Sequence, residues 1–246
     1  MTTSLRLLAA GSLKSAFLPL LARFQQQCGI TVEAQFGPAG LLRERIEAGE
    51  PCSVFASANR QHPQALRQAG LAGECQLFAR NQLMLTARRG ADTEARDWLA
   101  LLRDPGLRLA TSTPGCDPSG DYTWQLFSRI DARCPGTGAA MMARAQQLVG
   151  GRDSLRVPAG EIAGAWLIHE NVTDLFIGYA HYAMQMTAYD DLRMLVIPAP
   201  WNICCDYHLT QIDPCAGARQ LCRFILSTEG QRYLKNAGFL GINDES

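Results

Sequence analysis

The sequence predicts an α/β protein built from parallel strand–helix–strand units. Short apolar or β-branched runs at Leu5 to Ala9, Thr31 to Gln35, Ser53 to Ala56, Leu83 to Ala87 and Leu107 to Thr111 alternate with helical patterns, as parallel strands joined by crossover helices require. Helix punctuation falls where this scheme needs it. Pro63 sits in the first turn of HPQALRQAG and Gly70 stands where that helix stops.

The elements follow in order. Between Leu5 and Gln27 a short apolar run meets a Gly-Ser corner, then a helix whose apolar face is Leu13, Phe17, Leu20, Leu21 and Phe24. FGPAGLLRERIEAG turns at Pro38 to Gly40 and continues as a helix with Leu42 and Ile46 facing inward. VFASANRQHP places Ser57 and Asn59 directly after a buried strand. TSTPGCDPSGDYTWQLF carries Thr111, Ser112, Thr113, Asp117 and Ser119 through a Pro/Gly-rich loop into the Trp124 helix. The run AAMMARAQQLV, preceded by Pro135-Gly136 and followed by Gly150-Gly151, reads as a single helix. VPAGEIAGAWLIHE puts Glu161 at the start of the next helix, and DLFIGYAHYA brings Tyr179 out of a buried strand. Later strands are expected at Asp174 to Gly178, Arg193 to Ile197 and Tyr207 to Gln211, and helices over Pro214 to Leu226 and Glu229 to Asn236 close the chain.

A Gly-Ser corner entering a helix aims free amide groups and the Ser12 hydroxyl at one point, where donors and the helix dipole hold an anion. Serine is also an ordinary helix cap, so one corner by itself points to either role. Ligands of open α/β sheets bind beyond the carboxyl ends of strands, and the repetition of polar corners there makes an anion-binding cleft the first expectation.

Composition narrows the classes. With 246 residues, 47% hydrophobic and 19% charged, the chain is long enough for one large domain or two α/β lobes, and disorder is excluded. A formal charge of zero removes the basic footprint of a nucleic-acid binder and any polybasic membrane-surface segment. No apolar run approaches the roughly 20 residues of a membrane span. No secretion signal precedes the first strand, so the expectation is a cytoplasmic protein if Met1 is the native start, or a periplasmic one if a signal has been removed.

Nine cysteines, none in a zinc-like CxxC couple, read mostly as small buried apolar residues with reduced thiols; the vicinal Cys204-Cys205 read as two buried strand residues or as a pair that binds a soft metal or senses redox state. The histidines at 62, 169, 181 and 208 are scattered. With no GxSxG, P-loop or GxGxxG present, nothing points to an enzyme or to a bound cofactor.

The ordered set GSLKSAF, FGPAG before a helix ending EAGEP, FASAN, DPSG, PAGEI, and LFIGY before Val-Ile-Pro resembles the molybdate/tungstate-binding proteins of ABC importers, most of all their archaeal-type branch. The likeness runs from about Leu5 to about Gly241. It implies a type II periplasmic-binding fold: lobe one at residues 1–80 plus 205–246, lobe two at 81–204, and a ligand enclosed between lobes. It also implies a monomer that presents molybdate or tungstate to a membrane permease. Residue by residue, it assigns ligand donors to Ser12, Gly40, Ser57 and Tyr179. Asp117 and Glu161 would reach the metal centre of the oxoanion. This chain departs from the family pattern at Leu41, where a serine is usual, at Asn59, where an aspartate is usual, and at Cys116, which precedes the Asp.

The chemistry can be weighed independently. A dehydrated dianion needs several neutral N–H and O–H donors, each contributing on the order of 1.5 to 3 kcal/mol when hydrogen-bonded to charge. Two carboxylates would instead repel it in a dry cleft. Asp117 and Glu161 therefore belong in such a site only if they coordinate the Mo or W atom, an expansion that sulfate cannot accept. Two other functions fit the same residues: an intracellular oxoanion sensor or storage protein, and a ferric-ion receptor using the hard oxygens of Asp, Glu and Tyr.

Overall fold

Residues 4–242 are described by a computed structural model. Residues 1–3 and 243–246, which fall at the ends of the expected first lobe, lie outside them. The first half of the chain runs β1 (Ser4–Ala10), α1 (Lys14–Cys28), β2 (Thr31–Gly37), α2 (Ala39–Glu47), β3 (Val54–Ser57), α3 (Gln61–Gln68), β4 (Gln76–Arg88), α4 (Ala91–Glu94), α5 (Trp98–Arg103) and β5 (Leu109–Ser112). The second half runs α6 (Pro118–Arg133), α7 (Thr137–Arg144), β6 (Gln146–Val149), α8 (Ala163–His169), β7 (Leu175–Tyr179), α9 (Ala183–Met186), β8 (Leu192–Val196), β9 (Cys204–Gln211), α10 (Ala216–Leu226) and α11 (Thr228–Asn236).

Two compact units emerge, the first comprising 4–81 with 205–242 and the second 82–204. In the first, β1 pairs in parallel with β2 on one side and β3 on the other, and β9 adds antiparallel to β3. The predicted apolar face of α1 is the buried one: Phe17, Leu20 and Phe24 are fully covered. Phe17 meets Phe78 at 5.9 Å and Phe24 meets Phe224 at 5.5 Å between ring centroids. The side chain of Tyr207, fully buried on β9, has Phe78 and Phe239 edge-on at 6.2 and 5.2 Å.

In the second unit β7 and β5 are parallel, β5 continues in parallel to β6, and β4 runs antiparallel to both β7 and β8. Ala110, Val149, Leu167 and Phe176 form one packed cluster; Met84, Ala165, Ile168, Met186 and Leu192 form another. No described helix is long and apolar enough to cross a membrane.

Two expectations need correction. The run AAMMARAQQLV is not a single helix: α7 stops at Arg144, Ala145 turns extended (ψ 125°), and Gln146–Val149 becomes a strand beside β5. Its Ala, Gln and Leu residues favour helix locally, but the ladder to β5 and the Thr113 N–H and hydroxyl donated to the Val149 carbonyl (2.9 and 3.0 Å) outweigh that preference. Nor are the cysteines mostly buried. Of the nine, only Cys52, Cys205 and Cys222 are buried, and the other six, Cys204 included, are partly exposed.

The first turn of α6 is pressed against the loop that precedes it. A Cβ on Gly120 would stand 2.6 Å from the Thr113 carbonyl carbon and the Pro114 nitrogen, both backbone atoms that cannot yield cheaply. Gly120→Ala is expected to lower unfolding free energy by ~2 kcal/mol, as overpacking of a tight contact does. Urea denaturation measures it, and a loss within ~0.5 kcal/mol of wild type contradicts the account.

Candidate functional site

The parallel register of the first unit sets three polar corners side by side. Ala10 pairs with Gly37 and Ala9 pairs with Ala56, so β1, β2 and β3 end at nearly the same level. Beyond those ends stand Ser12, Gly40 and Ser57. The first two corners touch: a Cβ on Gly11 would lie 3.9 Å from the Gly37 carbonyl oxygen. A 3-10 turn, Gly11–Leu13, leads into α1, and neither that turn nor α2 has a side-chain cap, the residues before them being Ala10 and Pro38. Side-chain caps occur at α5, α6, α10 and α11, from Asp97, Asp117, Cys215 and Ser227, while α3, α4, α7, α8 and α9 share the uncapped start. Helix starts without a cap turn their first N–H groups toward whatever lies past the strand ends.

Each corner is held from behind. The Ser12 hydroxyl, 8% exposed, shares a 3.0 Å hydrogen bond with the Tyr207 hydroxyl, so Tyr207 orients it. Sequence reasoning placed Tyr207 on a strand but gave it no role, because contact across 195 residues leaves no local signal. Gly40 is buried in the first turn of α2. Ser57 is fully buried; its hydroxyl donates to Asn59 Oδ1 (3.1 Å) and accepts from the Asn59 N–H (3.2 Å). Asn59 Oδ1 also accepts from the His62 N–H at the start of α3 (3.2 Å). Burial, with Arg43 nearby, pushes the His62 ring down to about 4. Lys14, expected as a solvated helix residue, is exposed.

The second unit carries Asp117, Tyr179 and Glu161. Asp117 caps α6, accepting from the Ser119 N–H (3.1 Å), and the Ser112 hydroxyl also bonds its carboxylate. Burial nevertheless pushes its carboxyl up to about 6, with a smaller push from Asp121. The strand β6 brings Gly150 against it, close enough that a Cβ there would meet Asp117 Oδ2 at 2.6 Å. Burial and the Asp117 charge hold the Tyr182 hydroxyl well above its usual value. Tyr182 and Tyr179 flank His181, at 3.9 and 6.0 Å between ring centroids. Asp117 thus lies near an aromatic cluster of which the sequence pattern singled out Tyr179 alone, since only its strand-end position stood out. Thr111, at the end of β5, has a wholly buried hydroxyl without a partner.

Glu161 departs from its expected place. Its N–H closes a turn onto the Pro158 carbonyl (3.2 Å) with Gly160 at φ 94°, so α8 begins only at Ala163. The side chain is exposed in that turn and is not part of the first helical turn. Among the described residues no group of three or more His, Cys, Asp and Glu side chains is gathered as a metal-ion site.

A family model described as bacterial extracellular solute-binding protein matches residues 5–240. The chain belongs to that family. An uncharacterized protein of Pasteurella multocida is 42% identical to this solute-binding protein over 241 residues, 97% of this chain and 99% of that one. The molybdate-binding protein ModA of Mycobacterium tuberculosis is 32% identical over 125 residues, which is 50% of this chain and 47% of ModA. Among solved structures, the periplasmic molybdate-binding protein of Azotobacter vinelandii superposes with a TM-score of 0.75 at 19% identity, covering 96% of this chain and 98% of that one. The sulfate-binding protein SubI of M. tuberculosis gives 0.77 at 17% identity, covering 98% and 88%. Iron-bound HitA of Pseudomonas aeruginosa gives 0.69 at 13% identity, covering 99% and 88%. These likenesses show that the solute-binding protein has the two-lobed periplasmic-binding fold.

Two groups whose titration is shifted by desolvation make opposite demands on pH. His62 titrates at about 4 in the folded chain against an ordinary 6.5, so the unfolded chain binds its proton first and stability is lost as pH falls through that window. At ~1.4 kcal/mol for each tenfold, the whole window is worth ~3 kcal/mol. Asp117 at about 6 against 3.8 does the reverse, since the folded chain takes the proton first and gains stability as pH falls. Urea denaturation at pH 7 and pH 5 is expected to show His62→Leu gaining stability on acidification and Asp117→Asn losing more than wild type. Parallel changes in both variants contradict these assignments.

Proposed function

We propose that this solute-binding protein binds a tetrahedral oxoanion of Mo(VI) or W(VI) and delivers it to an ABC permease from the periplasmic side of the membrane. The observation that carries this reading is the level ending of β2, β1 and β3, which sets Ser12, Gly40 and Ser57 at three neighbouring corners with α1 and α2 free of side-chain caps. Such corners supply neutral donors, which a dehydrated dianion requires. The partial sequence likeness to ModA favours molybdate over other dianions.

In this reading Tyr179 donates to an oxo group, while Asp117 and Glu161 coordinate the metal of the cargo. Asp117 enters ionised at neutral pH, since its carboxyl titrates at about 6, and one of its oxygens already accepts from the Ser119 N–H. The exposed Glu161 carboxylate is available to complete the coordination. Expansion beyond four oxygens, together with the size of the oxoanion, would then separate molybdate from sulfate.

Calorimetric titration with molybdate, tungstate, sulfate and Fe(III) tests the reading. Molybdate or tungstate is expected to bind at least ~100-fold more tightly than sulfate, a difference of ~2.7 kcal/mol. Glu161→Gln is expected to narrow that ratio at least ~10-fold while retaining oxoanion binding. Equal affinity for sulfate and molybdate defeats the coordination argument, and binding of Fe(III) alone replaces the oxoanion with a cation as the cargo.

A further inference from the structure

The Ser12 hydroxyl does not serve the turn in which it stands. That turn, Gly11–Leu13, follows Ala10 and receives no capping bond from any side chain, so the serine is not acting as an ordinary helix cap. Among the described residues the Ser12 side chain has one hydrogen-bond partner, the Tyr207 hydroxyl 3.0 Å away. Tyr207 reaches it from inside the core. Its ring is fully buried with Phe78 and Phe239 edge-on, and Phe78 in turn meets Phe17 on α1, the helix that leaves this corner. The phenol is thereby held against Ser12 by packing that a ligand does not have to organise.

Two hydroxyls share this bond, and only one of them can be its donor. If Ser12 donates, its single hydrogen is spent on Tyr207 and the serine can only accept. Molybdate and tungstate dianions have no hydrogen to give, so such a serine would turn a lone pair toward a negative oxygen. If Tyr207 donates, the Ser12 oxygen is the acceptor and its own hydrogen remains for the cargo. A phenol is a better donor than an aliphatic alcohol, and a hydroxyl that accepts one hydrogen bond donates the next more strongly. We propose that Tyr207 donates its hydroxyl hydrogen to Ser12 and so makes Ser12 a donor to the oxoanion, in an O–H···O–H···O relay whose outer member never touches the cargo. Tyr207 is thus a positioning residue. This inference rests on the proposed function and deepens it, because it fixes the first corner as a donor and restricts its cargo to acceptor oxygens.

A double-substitution cycle separates the relay from a merely structural role. Titration with molybdate is expected to show Tyr207→Phe, which keeps the ring between Phe78 and Phe239, bound at least ~5-fold more weakly than wild type, and Ser12→Ala weakened at least as much. Because Tyr207 acts through Ser12, adding Tyr207→Phe to Ser12→Ala is expected to cost less than ~3-fold further. A loss below ~5-fold in Tyr207→Phe, a smaller loss in Ser12→Ala than in Tyr207→Phe, or a further loss of ~3-fold or more on the Ser12→Ala background overturns the inference. Should Tyr207→Phe fail to fold, 3-fluorotyrosine in place of Tyr207 keeps the ring and the hydroxyl while making the phenol a stronger donor. Molybdate binding tighter by ~2-fold or more then supports the relay, and anything less overturns it. A wild-type chain that binds neither molybdate nor tungstate overturns the proposed function itself. A wild-type chain that binds, with the two losses multiplying in the double variant, overturns only the role of Tyr207.

Discussion

The parallel ladder joining β2, β1 and β3 is the constraint on which the first unit depends. Once Ala10 pairs with Gly37 and Ala9 with Ala56, three chain segments must leave the sheet at one edge, and each turns back as a helix on leaving. A slip of one residue in any of these pairings would send its side chains to the other face and separate the corners. The buried face of α1 against Phe78, and of β9 against β3, makes that slip costly. Backbone geometry chosen by the hydrophobic core thereby fixes the relative placement of Ser12, Gly40 and Ser57.

Polar groups at these corners are arranged in layers. Tyr207 holds Ser12 from within the core, Asn59 holds Ser57, and the Ser112 hydroxyl and Ser119 N–H hold Asp117. Orientation by a buried neighbour reduces the freedom that a ligand would otherwise have to remove on binding. The arrangement around Asp117 differs in kind, because its carboxylate already has two hydrogen-bond donors and still titrates near 6. Desolvation there outweighs hydrogen bonding, which keeps the group responsive to a positive centre placed beside it.

Much of this was legible in the sequence where the signal is local. Alternating apolar runs and helical faces placed β1, β2, β3, β5, β7, β8 and β9 within a few residues, and the Gly-Ser, Ser-Ala and Asp-Pro corners fell at strand ends as expected. What escaped was set by partners distant in the chain. Gln146–Val149 is a strand because β5 offers it an edge, and no propensity within AAMMARAQQLV shows that edge. Tyr207 gains a role only through Ser12, and Tyr182 only through Asp117. Glu161 was misplaced by two residues because the turn at Pro158 and Gly160 delays the helix, a choice made by loop geometry and not by the helix's own residues.

The first unit is assembled from both ends of the chain, while the second is one uninterrupted stretch. During synthesis the residues of 82–204 emerge together and can complete their sheet at once, whereas β3 waits for β9, and α1 for α10 and α11, until that whole stretch has been made. The half of the molecule bearing Ser12 and Asn59 is therefore the last to mature. A chain released early would have an edge of β3 open to other strands, so truncation near the carboxyl end should favour aggregation more than loss of a single contact would suggest.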